Sequence, residues 1–294
     1  MMNLRWPAAL LCLSAFIAPA CADETADAEA LKKAGNNVRV DKGTITEITF
    51  KDSEPLTDAD FQKVGSYAGL KSLTFYGKCL MTDAQAGELS KLSKLEKLAA
   101  NGSKLTEDGF KELGKLKALK SLTFWHLGWH GVKLTGTGFA HLAGCESLRE
   151  FNFSGSTIGR EGLEALTKVP QLEKITFYHT RVSDADMELL KKFPHLKSVH
   201  VGPQFSMRLG DAGLKTIAGL STVEELIYNE TILTWDGSLQ AVAAMPKLSK
   251  LTLEEVEVSE SDLKQLRAAL PKTTITVKPP KPEQLAQMKR AVKK

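Results

Sequence analysis

The sequence lacks the motifs and the cysteine content that would indicate a hydrolase, a nucleotide-binding enzyme or a metal centre. It contains no Gly-x-Ser-x-Gly, no phosphate-binding glycine-rich loop with a lysine and no His-Glu-x-x-His. It has only four cysteines, and two of them lie in the first 22 residues. The other two, Cys79 and Cys145, have neither the spacing of zinc ligands nor a convincing histidine partner. We therefore expect a non-catalytic protein that needs neither a metal ion nor a cofactor.

A strong charge of one sign is also absent from most of the chain. The formal net charge is +4, from 39 basic and 35 acidic residues. Residues 278–294 contain six basic residues and one acidic residue, so the basic character belongs to the C-terminal tail, and residues 23–277 sum to about −2. Near-equal numbers of acidic and basic residues do not form the row of positive side chains that binds the phosphates of a nucleic acid. We expect no nucleic-acid partner.

The feature that the sequence has in abundance is an internal repeat. A leading apolar residue recurs at steps of 24 to 29 residues, which is a period typical of solenoids. Apolar residues three and five positions after it predict a short strand with one buried face. A Ser or Thr followed by an acid then predicts a helix start, and apolar residues three or four apart predict about two turns of helix. The leading residues are Leu70, Leu95, Leu119, Leu148, Leu172, Leu196, Val223 and Leu248.

A column of phenylalanines marks the buried face of the predicted strands. It consists of Phe50, Phe75, Phe124, Phe153 and Phe177, and Ala100 interrupts it. Single strands and two-turn helices are stable only when they are stacked. We therefore predict one continuous right-handed solenoid with a parallel sheet of about nine or ten strands, in which neighbouring rings compensate for Ala100. Cys79 and Cys145 fall on different edges of this solenoid, so we expect two free thiols.

These patterns resemble those of a known family. The order L-x-x-L-x-F, an apolar residue, Thr-Asp and an apolar helix is similar to the leucine-rich repeat, and most similar to its helical, cysteine-containing subtype and to arrays in exported bacterial proteins. The resemblance covers roughly residues 45 to 277. It implies an α/β horseshoe with a concave parallel sheet and short helices on the convex side. The chain departs from the subtype in having no regular Asn or Cys column, since only Cys145 occupies the late-helix position.

The first 22 residues predict a signal peptide. They contain Arg5, an apolar run from Pro7 to Ala18 that is too short for a comfortable membrane span, and Ala20-Cys21-Ala22 before an acid. We expect an exported protein, which is periplasmic, at the cell surface or secreted after cleavage near Ala22. Lipidation of Cys21 is the alternative, although the residues before it fit a lipobox badly.

The remaining chain divides into three segments. Residues 23–44 predict an N-terminal cap of a helix and a hairpin strand, with the turn signal Asp41-Lys42-Gly43. Residues 45–277 form the predicted solenoid of about nine repeats. Residues 278–294 are a proline-rich linker and a basic tail, which either contacts an anionic membrane or a partner, or is a solvated terminal helix.

Three columns of residues are predicted to point outward from the concave face. The first column runs from Glu47 to Lys250, and the charges of its side chains alternate in sign. The second runs from Thr49 to Thr252, and its side chains are mostly small and polar. The third is where large side chains appear. It consists of Lys51, Tyr76, Asn101, Trp125, Ser154, Tyr178, Gly202, Asn229 and Glu254.

Two insertions lie next to the aromatic residues of the third column. The longer follows Trp125 and runs from His126 to Lys133, and the shorter runs from Pro203 to Arg208. Loops on a rigid framework and Trp, Tyr and Arg side chains are enriched at binding sites. The alternative is that the tryptophans only fold the insertion onto the rim. The candidate binding residues are Tyr76, Trp125, His126, Trp129, His130, Tyr178, His179, His200, Phe205 and Arg208.

The histidines among these residues invite comparison with a zinc site. Zinc requires each nitrogen at about 2.0–2.1 Å, whereas the repeats that carry His126 and His179 are separated by two strand spacings, or about 10 Å. We therefore expect no metal, and we interpret His126, His179 and His200 as polar groups that titrate near neutral pH. The sequence favours a binding protein for a protein or glycan partner at the concave rim. A purely structural component of the cell envelope is the competing hypothesis. A His-rich metal site at the rim, which would require the insertion to fold back over the next repeat, is the other alternative.

Overall fold

The computed structural model describes residues 24–203 and 209–292, so the predicted signal peptide lies outside the described residues. Within these ranges, eleven strands form one sheet in the order of the sequence. The strands are β1 (Asn37–Asp41), β2 (Thr44–Phe50), β3 (Ser72–Phe75), β4 (Lys97–Asn101), β5 (Ser121–Trp125), β6 (Glu150–Asn152), β7 (Lys174–Thr180), β8 (Ser198–Pro203), β9 (Glu225–Asn229), β10 (Lys250–Glu254) and β11 (Thr274–Lys278).

The sheet is parallel from β2 to β11, and only β1 pairs antiparallel, with β2. Each repeat therefore returns the chain to the same edge of the sheet before the next strand begins. This architecture confirms the predicted fold. The chain forms an α/β right-handed leucine-rich repeat solenoid, with the parallel sheet on the concave side and short helices on the convex side.

Four of the α-helices begin at a predicted Ser or Thr cap, namely Thr57, Thr82, Thr106 and Ser259. The side chains of Thr57 and Thr82 accept hydrogen bonds from the third backbone N–H of their helices, and Asp60 and Gln85 bond back in capping boxes. The α-helices are α1 (Thr25–Lys33), α2 (Asp58–Gly65), α3 (Asp83–Leu89), α4 (Glu107–Leu113), α5 (Arg160–Leu166), α6 (Asp211–Ala218), α7 (Gln240–Ala243), α8 (Glu260–Ala269) and α9 (Pro282–Val292). The segments Thr137–Gly144 and Asp184–Lys192 are 3₁₀-helices, and Trp235–Leu239 is a π-helical turn before α7.

The phenylalanine column is buried, as predicted. The rings of Phe50 and Phe75 stack with centroids 5.3 Å apart, and those of Phe153 and Phe177 with centroids 5.7 Å apart. Ala100 lies in register between Phe75 and Phe124. On either side of this gap a helix contributes a ring to the column: Phe61 of α2 contacts Phe75, and Phe110 of α4 contacts Phe124.

Both ends of the described solenoid carry an additional helix. Near the start, the buried carboxylate of Glu24 accepts a hydrogen bond of 2.6 Å from the backbone N–H of Ile45. At the end, Gln284 of α9 donates to Glu255 over 2.6 Å, and Leu285 and Met288 are half-buried. None of the helices in the described residues has the length and apolar character needed to cross a membrane. Membrane contact by the tail remains a prediction.

Candidate binding groove

The three outward columns occupy the predicted positions. Strand pairing places Glu150 beside Lys174, Asn152 beside Thr176, and Tyr178 beside Gly202. Residues of one column are therefore neighbours about 4.8 Å apart along the sheet. Because the backbone hydrogen bonds of ten parallel strands fix these positions, the concave face presents its side chains on a rigid support.

An open groove crosses the concave face from β5 to β9. Its volume is about 260 Å³. Three of the residues predicted from the sequence meet there, namely Trp125, Tyr178 and His200. The polar and apolar side chains that line it with them are Ser121, Thr123, Glu150, Asn152, Lys174, Thr176 and Ile227.

Tyr178 forms one wall of the groove. The imidazole of His200 stacks against its ring, with centroids 4.6 Å apart and planes 15° apart. Nε2 of His200 is 3.0 Å from Oδ1 of Asn229, which holds the imidazole in this orientation. Since His200 belongs to β8 and covers the ring from that side, the other face of Tyr178 is directed along the sheet towards β6 and β5.

Trp125 stands on the opposite side of the groove, two strands away from Tyr178. The third-column residue between them is Ser154, which is buried and bonds through its hydroxyl to Oδ1 of Asn152 over 2.7 Å. The backbone N–H of Ser154 donates to the same oxygen over 2.9 Å. A small buried side chain thus lies between two aromatic residues that line the same groove, and we call the space between Trp125 and Tyr178 the slot and these two residues its walls.

The part of the groove that lies towards the start of the strands is polar and close to neutral. Glu150 accepts a hydrogen bond of 3.1 Å from Ser121, and Lys174 lies beside it in register. Further along the first column, Glu225 pairs with Lys250 at 2.6 Å, and this bond is the largest cause of the lowered pKa of Glu225. Within the described ranges, Lys174 forms no ion pair. Its ammonium group is available to a ligand.

The residue after the third column adopts a left-handed backbone conformation in most repeats. It is glycine at Gly77, Gly102 and Gly155, where positive φ is readily adopted. At the same position, four repeats have a histidine or a glutamate, with φ between 54° and 61°. These residues are His126, His179, Glu230 and Glu255. A positive φ is unfavourable for residues with a Cβ, and each of these side chains forms a hydrogen bond in the structure.

His179 and Glu230 illustrate such contacts. Nε2 of His179 is 2.6 Å from Oε1 of Glu230, and this hydrogen bond raises the pKa of His179 despite the opposing effect of burial. The pair spans β8, whose third-column residue Gly202 has no side chain. A Cβ at Gly202 would lie 2.7 Å from Cβ of Asn229, the residue that holds His200. The environment of Tyr178 is therefore closely packed on one side.

The insertion after Trp125 is attached to the rim outside the slot. Nδ1 of His126 is 2.7 Å from Oδ1 of Asn101, and Nε1 of Trp129 donates to the carbonyl oxygen of Gly155 over 2.6 Å. Burial lowers the pKa of His126, and it also lowers that of His200. Trp129 remains 48% exposed. The tryptophan after the insertion turn thus lies on the rim and not in the groove.

His130 and Tyr76 do not line the groove. His130 packs beside Gly102, and Tyr76 on the third column of the β3 repeat is 51% exposed. Phe205 and Arg208 are outside the described residues. Sequence reasoning did not select Glu150, Asn152, Lys174 or Ile227 as site residues. Their positions in the outward columns next to Trp125 and Tyr178 were a usable signal.

Comparisons with known proteins yield similarities of structure only. No protein-family model matches the chain, and the search of curated proteins gave no significant match. The chain is similar to the internalin InlF of Listeria monocytogenes, with 16% identity, coverage of 74% of this chain and 70% of that chain, and a TM-score of 0.48. It is also similar to internalin C2 of the same organism, with 16% identity and a TM-score of 0.49. That match covers 76% of this chain and 84% of internalin C2.

A third solved structure with some similarity is TLR13 in its complex with ssRNA13. The identity is 14%, the TM-score is 0.45, and the match covers 76% of this chain but only 34% of that one. Similarity at this level does not identify a ligand. The groove therefore has to be interpreted from its own residues.

The thiols and histidines of the described chain do not form a reactive or metal-binding centre. Cys79 and Cys145 are free and buried, as the repeat register predicts. Burial raises the pKa of each thiol to about 11. Among the residues that the structure describes, no three His, Cys, Asp or Glu side chains are grouped so that they could hold a metal ion.

Proposed function

We propose that this chain is a non-catalytic recognition protein that binds a protein or glycan partner in the concave groove between Trp125 and Tyr178. The observation that carries the proposal is the slot itself. Two aromatic side chains flank a small buried serine on a parallel sheet, and His200 and Asn229 support one of them from behind. Aromatic side chains fixed on a rigid framework lose little conformational entropy when a ligand binds.

The place of action belongs to the same proposal. The N-terminal 22 residues have the pattern of an export signal, so the partner is expected in the cell envelope or outside the cell. Attachment through a lipid on Cys21, or contact of the basic α9 region with a membrane, would bring the concave face close to that surface.

A capture experiment tests this function. The mature protein, immobilised by its C-terminus, is exposed to envelope extract of the native host, and the captured protein and carbohydrate are identified. Trp125→Ala and Tyr178→Ala are compared with Trp129→Phe, which alters an aromatic residue on the rim outside the slot. We expect the first two variants to lose the captured partner and Trp129→Phe to retain it.

The competing structural hypothesis predicts a different result. If the protein is only a spacer in the envelope, the wild type and all variants should capture the same material, or none of them should capture any. Deletion of its gene should nevertheless alter the structure of the envelope. Retention of a specific partner by folded Trp125→Ala and Tyr178→Ala would exclude the slot as the binding site.

A further inference from the structure

We propose that the slot binds a single pyranose ring of a neutral glycan, and that it prefers a ring whose hydroxyls are all equatorial, as in glucose or N-acetylglucosamine. This inference rests on the proposed function, because it names the ligand of the same groove. It is carried by the spacing of the strands that bear the two aromatic walls, by the polar groups of the same groove and by the balance of charge.

The first argument is the width of the slot. Trp125 and Tyr178 stand on β5 and β7, so their strands are separated by two spacings, or about 10 Å. A flat ring that contacts both walls needs about 7–8 Å, which is twice the usual contact distance between carbon atoms. A puckered, saturated ring with axial hydrogens on both faces is thicker and suits the slot better than an aromatic side chain.

The second argument is the character of the walls. In a pyranose with only equatorial substituents, the axial C–H groups alternate between the two faces, and both faces are therefore apolar. Aromatic faces carry partial negative charge that attracts such polarised C–H groups. One axial hydroxyl, as in galactose, would place a polar group against a ring and leave it without a hydrogen bond. Two aromatic walls consequently select against that configuration.

The third argument is the set of polar groups that line the groove next to the slot. Sugar hydroxyls both donate and accept hydrogen bonds, so their site needs donors and acceptors together. Glu150 supplies carboxylate oxygens and Lys174 an ammonium group in the part of the groove that lies towards the start of the strands. Asn152 accepts from Ser154 through Oδ1, which leaves its Nδ2 end to donate. The hydroxyls of Thr123 and Thr176 are on the same face.

The charge and the size of the groove favour a neutral sugar over an acidic polymer or a large protein surface. Glu150 and Lys174 are adjacent and opposite in sign. The volume of about 260 Å³ is below the range of about 300–1,000 Å³ that is usual for drug-sized ligands. A protein interface buries about 800 Å² on each side around an apolar centre. Of the large apolar residues that line this groove, Leu122 and Phe151 are buried in the core, which leaves Trp125, Tyr178 and Ile227.

The test is titration calorimetry on the mature protein with three tetrasaccharides. They are cellotetraose, N-acetylchitotetraose and β-1,4-galactotetraose. We expect binding of at least one of the first two, at least tenfold weaker binding of the galactose polymer, and at least tenfold loss of affinity in Trp125→Ala and in Tyr178→Ala. Trp129→Phe is the matched control and should bind as the wild type does. Near-ultraviolet circular dichroism confirms that each variant is folded.

Three outcomes would overturn the inference: no binding of any tetrasaccharide by the folded wild type, equal affinity for the galactose polymer, or unchanged affinity in folded Trp125→Ala. The capture experiment distinguishes this failure from failure of the proposed function. If capture of a protein from the envelope extract requires Trp125 and Tyr178 while no tetrasaccharide binds, the groove recognises a protein and the proposal of a glycan ligand is wrong. If neither a captured partner nor a sugar depends on these residues, both proposals fail.

Discussion

Nε2 of His179 lies 2.6 Å from Oε1 of Glu230, and both residues have left-handed backbone conformations, with φ of 55° and 54°. The hydrogen bond connects the ends of β7 and β9 across β8. It favours the protonated imidazole and raises the pKa of His179 above the ordinary value of a histidine. Its contribution to stability must therefore depend on pH.

The sign of that dependence follows from linkage. A histidine with a raised pKa in the folded state stabilises the protein fully below its unfolded pKa of about 6.5, and this stability is lost as the pH rises through the folded value. We predict that Glu230→Gln lowers the free energy of unfolding by at most about 1 kcal/mol at pH 5.5 and by clearly less at pH 8.5. Urea denaturation at both pH values measures this.

Glu88→Gln is the control for this prediction, because Glu88 at the end of α3 pairs with Lys91 just after that helix and no histidine is involved. Its effect should be the same at pH 5.5 and pH 8.5. A larger effect of Glu230→Gln at pH 8.5 than at pH 5.5 would contradict the assignment.

A second prediction concerns the left-handed position in the β6 repeat. Gly155 has φ of +65°, and a Cβ there would lie 2.9 Å from Cδ2 of His126. We expect Gly155→Ala to destabilise the protein by about 1–2 kcal/mol, because the energetic cost of the left-handed backbone adds to that of the close contact with His126. Thermal unfolding is the measurement. Gly87→Ala, in the interior of α3 with only ordinary contacts, should instead stabilise by about 0.5–1 kcal/mol, and loss of stability in both variants alike would count against the argument.

A third prediction tests the phenylalanine column. The ring of Phe153 contacts those of Phe139, Phe151 and Phe177, with centroids 5.4, 5.5 and 5.7 Å away. Phe153→Ala should cost about 3–5 kcal/mol, because the fixed neighbouring strands prevent the cavity from closing. Guanidinium denaturation measures the loss. Tyr76→Ala, on the outward side and half exposed, should change stability by less than about 0.5 kcal/mol, and a comparable loss in the two variants would mean that the column is not the core.

A fourth prediction concerns the thiols. The pKa of about 11 at Cys79 and Cys145 leaves about one thiolate in a thousand at pH 8. Both thiols are buried, and Sγ of Cys145 donates to the carbonyl oxygen of Leu113 over 3.2 Å. Iodoacetamide should therefore leave both unmodified in the native protein at pH 8 and alkylate both in guanidinium, as mass spectrometry would show. Rapid alkylation of either residue in the native state would disprove its burial.

Much of this architecture could be predicted from residue spacing. In a solenoid each repeat contacts mainly its neighbours, so the period of 24 to 29 residues determines which strands pair and in which register. The burial of Phe124 and the alignment of Glu150 with Lys174 follow from that register alone. The capping residues Thr57 and Thr82 are equally local, because they act on backbone groups of their own helix.

Only the tertiary structure decided which predicted aromatic residues act together. The path of the insertion after Trp125 depends on non-local contacts, namely the bond of Trp129 to Gly155 and that of His126 to Asn101, and these place Trp129 on the rim. The stacking of His200 on Tyr178 is a diagonal contact between strands whose geometry depends on Asn229. Such contacts are determined by side-chain orientation in the folded state, whereas periodicity specifies only the column in which a residue lies.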